Sequence, residues 1–144
     1  MKLLKMVVVI WTVILLGSSA AAAGDFDWIK GFNIKAEADP SGFRAKIAAR
    51  FKIGNAQIET VLSNVEKPAD TYMVLRLGEM ARQPIDFVIR QYKSGKDRGW
   101  GALAKSLGIK PGSREFHALK RGHDLYYSPG RVKGKAKGKG RGKK

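Results

Sequence analysis

The chain contains no cysteine. That excludes disulfides, thiolate metal sites and thiol nucleophiles. It also excludes a lipid-modified N-terminus, which is built on a cysteine at the cleavage site. Stability must come from packing alone. Histidine is scarce: His117 and His123 are the two, six positions apart across Gly122. A helical metal pair needs a spacing of three or four. They are read as surface or capping residues, and Glu115 and Asp124 nearby complete no metal pattern. No Ser-x-x-Lys, Gly-x-Ser-x-Gly or His-Glu-x-x-His occurs. No catalytic residue, metal site or cofactor is therefore assigned. No segment alternates polar and apolar residues with a period of two, so no sheet is expected.

What the chain does have begins with an export signal. Lys2 and Lys5 form a short basic start, and Met6 to Leu16 is apolar apart from Thr12. That run is too short to span a bilayer comfortably. Ser18-Ser19 and Ala20 to Ala23 follow it, and the alanines fit the small-x-small cleavage rule. Residues 1–23 are expected to be a signal peptide, cleaved near Ala23/Gly24, with a periplasmic or secreted mature chain. An uncleaved membrane anchor is the alternative.

Positive charge is unevenly placed. The net charge is +16, from 28 basic and 12 acidic residues. All 12 acids lie between Gly24 and Gly130, with 18 of the basic residues, so the folded part carries about +6. The last fourteen residues hold eight cations and no acid: Arg131, Lys133, Lys135, Lys137, Lys139, Arg141, Lys143 and Lys144. Gly and Ala separate most of them. Such a segment buries too little to offset its ordering entropy, and residues 128–144 are expected to be disordered. It is expected to lie along anionic polymers or an anionic envelope surface, with little regard to sequence. A purely solubilising tail is the other reading. The sequence names no protein partner.

Residues 24–127 are expected to form one all-α domain, a compact bundle of six or seven short helices. Asp25 to Phe32 reads as a short helix with Phe26, Ile29 and Phe32 inward, stopped early by Gly31 and Asn33. Phe43, Ile47 and Phe51 mark a helix with a basic outer face, ended by Gly54, with Gly54 or Asn55 beginning the next. Ile58, Val61, Leu62 and Val65 stand at i, i+3, i+4 and i+7. Pro68 suits the first turn of the next helix, and Asp70 its positive end. There Met73, Val74, Leu77 and Met80, widened by Tyr72 and Leu75, make the broadest apolar face and predict the most buried helix. Gly78 within it predicts close packing. Ile85, Val88, Ile89 and Tyr92 follow, then a polar break at Ser94 to Asp97. Asp124 to Tyr127 are expected to pack on the domain.

The densest local pattern runs from Gly99 to Arg121. Trp100, Leu103, Ala104 and Leu107 share a helix face, Gly108 suits its end, and Ile109-Lys110-Pro111-Gly112 is a turn. Ser113 caps a second helix carrying Phe116 and Leu119. Arg114, His117, Lys120 and Arg121 would face outward, as on a DNA-reading helix. The turn is one residue too long for that motif, and an exported protein does not meet the chromosome. A hairpin that stabilises its own domain is preferred. Trp100 between two glycines reads as a core residue at a helix start, with a sugar or peptide stacked on it as the alternative. Glu66, Asp70, Glu79 and Asp86 could support cell-wall glycosidase chemistry if two faced each other across a cleft. They read equally well as helix-end and surface charges.

The residues Gly99-Trp100-Gly101, Ala104-Lys105, Leu107 to Ser113 and Glu115 to Lys120 resemble a motif of a family of small uncharacterised exported bacterial proteins. The similarity includes the Phe43–Phe51 helix and Pro68-Ala69-Asp70, so it covers most of Asp25 to Arg121. The resemblance implies a periplasmic or secreted location in a Gram-negative bacterium. It carries over no activity and no binding residue, and the Lys/Gly tail lies outside it. Together these readings describe an exported, envelope-associated binding module, with a cell-wall enzyme or enzyme accessory as the alternative.

Overall fold

The computed structural model describes residues 25–126. The predicted signal peptide and the predicted tail lie outside the described residues. Within them the expected all-α architecture holds. The described residues hold seven α-helices, one 3-10 turn and no strand. In order they are α1 Trp28–Ala38, α2 Pro40–Phe51, α3 Asn55–Leu62, α4 Pro68–Ala81, α5 Ile85–Gly95, the 3-10 turn Lys96–Arg98, α6 Trp100–Ser106 and α7 Arg114–Arg121.

The centre is α4. Ala69, Thr71, Tyr72, Met73, Val74, Leu75, Leu77 and Gly78 are all buried along it. Helices α1, α3 and α5 pack around it. Pro68 occupies its first turn, where a missing N–H costs nothing. The Asp70 carboxylate accepts from the Lys67 N–H at 3.1 Å, closing the helix start. A Cβ at Gly78 would lie 3.3 Å from the Gln83 carbonyl oxygen and 3.6 Å from Val88 Cγ2. The glycine lets the start of α5 fold back tightly over α4, the close packing its position predicts.

Helix α1 departs from the expectation at both ends. It starts at Trp28 and runs through Gly31 and Asn33 to Ala38. Two forces outweigh the local breakers. Phe32 and Ala36, one turn apart, are each 1% exposed, so the helix is extended by burial. Asn33 is used rather than merely tolerated: its Oδ1 accepts from the Ala69 N–H at 2.7 Å, satisfying one orphan donor of α4. The helix stops before Asp39-Pro40 because the residue preceding proline is pushed out of the helical region. Asp39 then caps α2 through the Gly42 N–H at 2.9 Å.

Two further ends differ from the sequence reading. Helix α2 stops at Phe51, with Lys52 in the left-handed region at φ 54° and the Ile53 N–H bonded to the Ala48 carbonyl at 3.2 Å. Gly54 stands extended as the cap of α3 and Asn55 begins it, as the sequence predicts. Helix α3 stops at Leu62, short of Val65. Ser63 Oγ donates to the Glu59 carbonyl at 2.8 Å, and Asn64 Nδ2 to the Thr60 carbonyl at 2.7 Å. These side chains satisfy the last carbonyls, and Val65 packs on the core from the loop.

The α6–α7 hairpin forms as its turn chemistry dictates. Gly108, at φ 86°, donates to the Lys105 carbonyl at 3.0 Å, and Ile109 N–H donates to the Ala104 carbonyl at 3.0 Å. That pair of bonds is the glycine-terminated Schellman ending, and buried Ile109 supplies its apolar contact. Ser113 Oγ accepts from the Phe116 N–H at 3.2 Å, capping α7. Seven residues, 107–113, separate the two helices. A DNA-binding helix-turn-helix uses three or four. The chain then closes back: Leu125 is buried and Tyr126 packs against the core.

Candidate functional site

Trp100 opens onto a cleft of about 380 Å³. Ile29 and Asn33 come from α1, Glu66 and Lys67 from the loop before α4, and Asp70 from its first turn. Tyr92 comes from α5, Asp97 from the 3-10 turn, and Gly99 and Trp100 from the start of α6. Three of these residues are carboxylates, in a domain whose overall charge is positive. Trp100 is half-buried. Its ring stacks on Tyr92, with centroids 5.5 Å apart and planes at 21°. The Tyr92 hydroxyl donates to Asp70 Oδ2 at 2.9 Å. Burial and that carboxylate hold its proton on, well above the ordinary tyrosine value.

Of the glycines flanking Trp100, one is required by the backbone. Gly99 stands at φ 82° with open space around a would-be Cβ, so its requirement is conformational. A Cβ at Gly101 would lie 3.7 Å from Phe116 Cζ, an ordinary packing contact, so neither conformation nor space requires glycine there.

The four carboxylates singled out in the sequence part company. Glu66 and Asp70 line the Trp100 cleft, where Asp97 joins them. Asp86 lies in the first turn of α5. Glu79 belongs to a separate network at the far end of α4. Arg50 holds it with two bonds of 3.1 and 3.0 Å, and Arg76 also pairs with it. Arg50 Nε donates to Asp124 Oδ2 at 2.7 Å. The hydroxyl of buried Tyr72 donates to Asp124 Oδ1 at 2.9 Å and accepts from the Asp124 N–H at 3.3 Å. The network thus ties the end of the fold to α2 and α4.

The histidines have different surroundings. His117 is exposed on α7. His123 is half-buried in an aromatic cluster, with ring centroids 4.8 Å from Phe32, 5.3 Å from Trp28 and 5.5 Å from Tyr126. The spacing predicts a surface or capping role for His123; its Nδ1 accepts from the Tyr126 N–H at 3.5 Å, but nothing local shows the rings that converge on it. Among the described residues no group of His, Asp and Glu has the arrangement of a metal site. No helix among them is long and apolar enough to cross a membrane. The eight cations from Arg131 to Lys144 lie outside the described residues. Tyr92 and Asp97 are cleft residues the sequence reading missed. Tyr92 sits on an apolar stripe and Asp97 in a polar break, and only the 3-10 turn brings them together.

Charge and burial predict a two-stage acid response. Burial, helped by Lys35, lowers His123 below its ordinary 6.5. Its contribution is complete above pH 6.5 and fades as pH falls. The Arg50 bonds chiefly hold Glu79 below its ordinary 4.5. For Asp124, burial pulls upward, but the Arg50 and Tyr72 bonds outweigh it and hold it below 3.8. Both carboxylates are stabilising above those values and lose that effect as pH falls through them. Tyr72 works in the opposite direction. Burial pushes it up to about 12, so its contribution is lost as pH rises above 10. Thermal melts from pH 8 to 3 are expected to show one decline below about pH 6.5 and a steeper one below about 4.5. In His123→Gln the first decline disappears.

No protein-family profile matches the chain, and no curated protein or solved structure matches it either.

Proposed function

We propose that this protein is an exported, envelope-associated binding module that holds anionic polymers or an anionic surface through Arg131 to Lys144. The observation that carries the reading is the concentration of positive charge in the last fourteen residues of the sequence. Eight cations and no acid fall in the last fourteen residues. Among the described residues the buried core runs from Phe32 to Leu125. The motif around Gly99 to Lys120 supports the same placement, among small exported bacterial proteins. Binding is by counterion release: each phosphate neutralised adds roughly 0.7–0.9 to the slope of log affinity against log salt.

The test measures heparin and anionic-vesicle binding at several salt concentrations, with the full chain and a chain ending before Ser128. The full chain is expected to give a steep slope. Truncation flattens most of it and leaves helix content unchanged. Equal affinity and slope in the two chains would overturn the assignment to the tail.

A second reading draws on the Trp100 cleft. Sugar rings stack on an indole face and hydrogen-bond to carboxylates such as Glu66 and Asp97. Under that reading the protein acts on, or helps an enzyme act on, cell-wall glycan. Titration of the same two chains with soluble glycan fragments separates the readings, because cleft binding survives both truncation and high salt.

A further inference from the structure

A second pocket, of about 380 Å³, lies between α1 and the segment that follows α7. Trp28, Gly31, Phe32 and Lys35, at helical spacing, give one side; Arg121, Gly122, His123 and Tyr126 give the other. Three observations set it apart from ordinary surface. Its walls are aromatic and fixed. Trp28 Nε1 donates to the Leu119 carbonyl at 3.3 Å, and the Phe32 and Tyr126 ring centroids lie 5.2 Å apart. Its charged lining is cationic. Lys35 Nζ lies 5.9 Å from the Tyr126 ring centroid, and Arg121 is exposed at the rim. None of the lining residues is an acid. Asp124 is engaged by Arg50 and Tyr72, Asp39 by the Gly42 N–H and Asp25 by Lys120, while Asp25 and Asp27 line a separate pocket that shares Trp28 and Arg121.

The third observation is Gly31. It is an exposed glycine inside a helix, where alanine would be more stable. It takes no left-handed conformation, and no atom lies within 4 Å of a would-be Cβ. Neither backbone geometry nor packing explains it. What it does is keep one wall of the pocket free of a side chain. Gly122 opposite also has nothing within 4 Å of a would-be Cβ. At the same edge the Tyr126 hydroxyl is buried without a hydrogen-bond partner.

We infer that this pocket binds a small organic anion with a flat aromatic body. The aromatic walls take the ring system, and Lys35 and Arg121 meet the acidic group. Trp28 is a natural reporter because its indole lines the pocket. The site is distinct from the Trp100 cleft and does not depend on the polyanion reading.

The test titrates the full chain with 2-naphthoate and, in parallel, with neutral 2-naphthylmethanol. The Trp28 indole N–H resonance and thermal melts are followed. The expected result is a saturable Trp28 shift, with naphthoate at least tenfold tighter than the alcohol. Lys35→Gln combined with Arg121→Gln removes that preference. Gly31→Leu, which fills the pocket from an exposed helical position, weakens naphthoate binding at least tenfold while the melting temperature is unchanged or raised. That combination separates occlusion from unfolding. No saturable shift up to the solubility limit, equal affinity for the alcohol, or unchanged naphthoate binding in Gly31→Leu would each overturn the inference.

Discussion

Leu77→Ala is expected to lower the stability of the domain by about 2–5 kcal/mol. Leu77 is 0% exposed and sits in the most buried helix, with Met73, Val74 and Gly78 beside it. The loss has two parts, the transfer free energy of the removed atoms and the cavity they leave. Collapse is restricted here because α1, α3 and α5 are all held against α4. Gly78 already places α5 at contact distance, so that side cannot close further. This argues for the upper part of the range. Chemical denaturation of the wild type and the variant measures it. A midpoint unchanged at equal m-value would show that α4 is not the centre of the fold.

Phe32→Ala is expected to cost about 3–5 kcal/mol. Phe32 is 1% exposed, and its ring meets Trp28, Phe43, Tyr72, His123 and Tyr126. These residues come from α1, α2, α4 and the closing segment, so one ring holds four parts of the chain together. The loss should be spread accordingly. Amide exchange is expected to accelerate both at α1 and at residues 123–126, although ninety positions separate them. Acceleration confined to α1 would mean that the closing segment is held by the Arg50 network alone.

Most of the helical architecture was legible because each helix announces itself by an apolar stripe and a turn signal. Pro68, Ser113 and Gly108 each act through their nearest neighbours, so local chemistry suffices to read them. The misread ends have distant causes. Asn33 looks like a helix breaker until Ala69, 36 positions on, offers it an N–H. Gly54 looks like a helix terminator, but Lys52 takes the left-handed conformation two residues earlier. The candidate sites were less legible still. Trp100 stood out by composition, but Tyr92 and Asp97 join it only through the 3-10 turn. Glu66 and Asp70 share its cleft while Glu79, equally plausible in sequence, turns to Arg50. Gly31 read as a stop signal because sequence cannot show that the space beside it is empty.

The knot at Asp124 also has a mechanical meaning. Under the proposed tail binding, a polyanion held by the last fourteen residues would pull on the chain through Tyr126, Leu125 and Asp124. Asp124 hands that load through Arg50 and Tyr72 to α2 and α4. Traction therefore reaches the middle of the domain without first unwinding α7. Tension and acid attack the same fastening, since lowering the pH through the Asp124 and Glu79 titrations weakens the joint that bears the load. If the proposed tail binding holds, the grip on a surface and the hold of the fold on its own end answer to different variables: salt would loosen the first, protons the second.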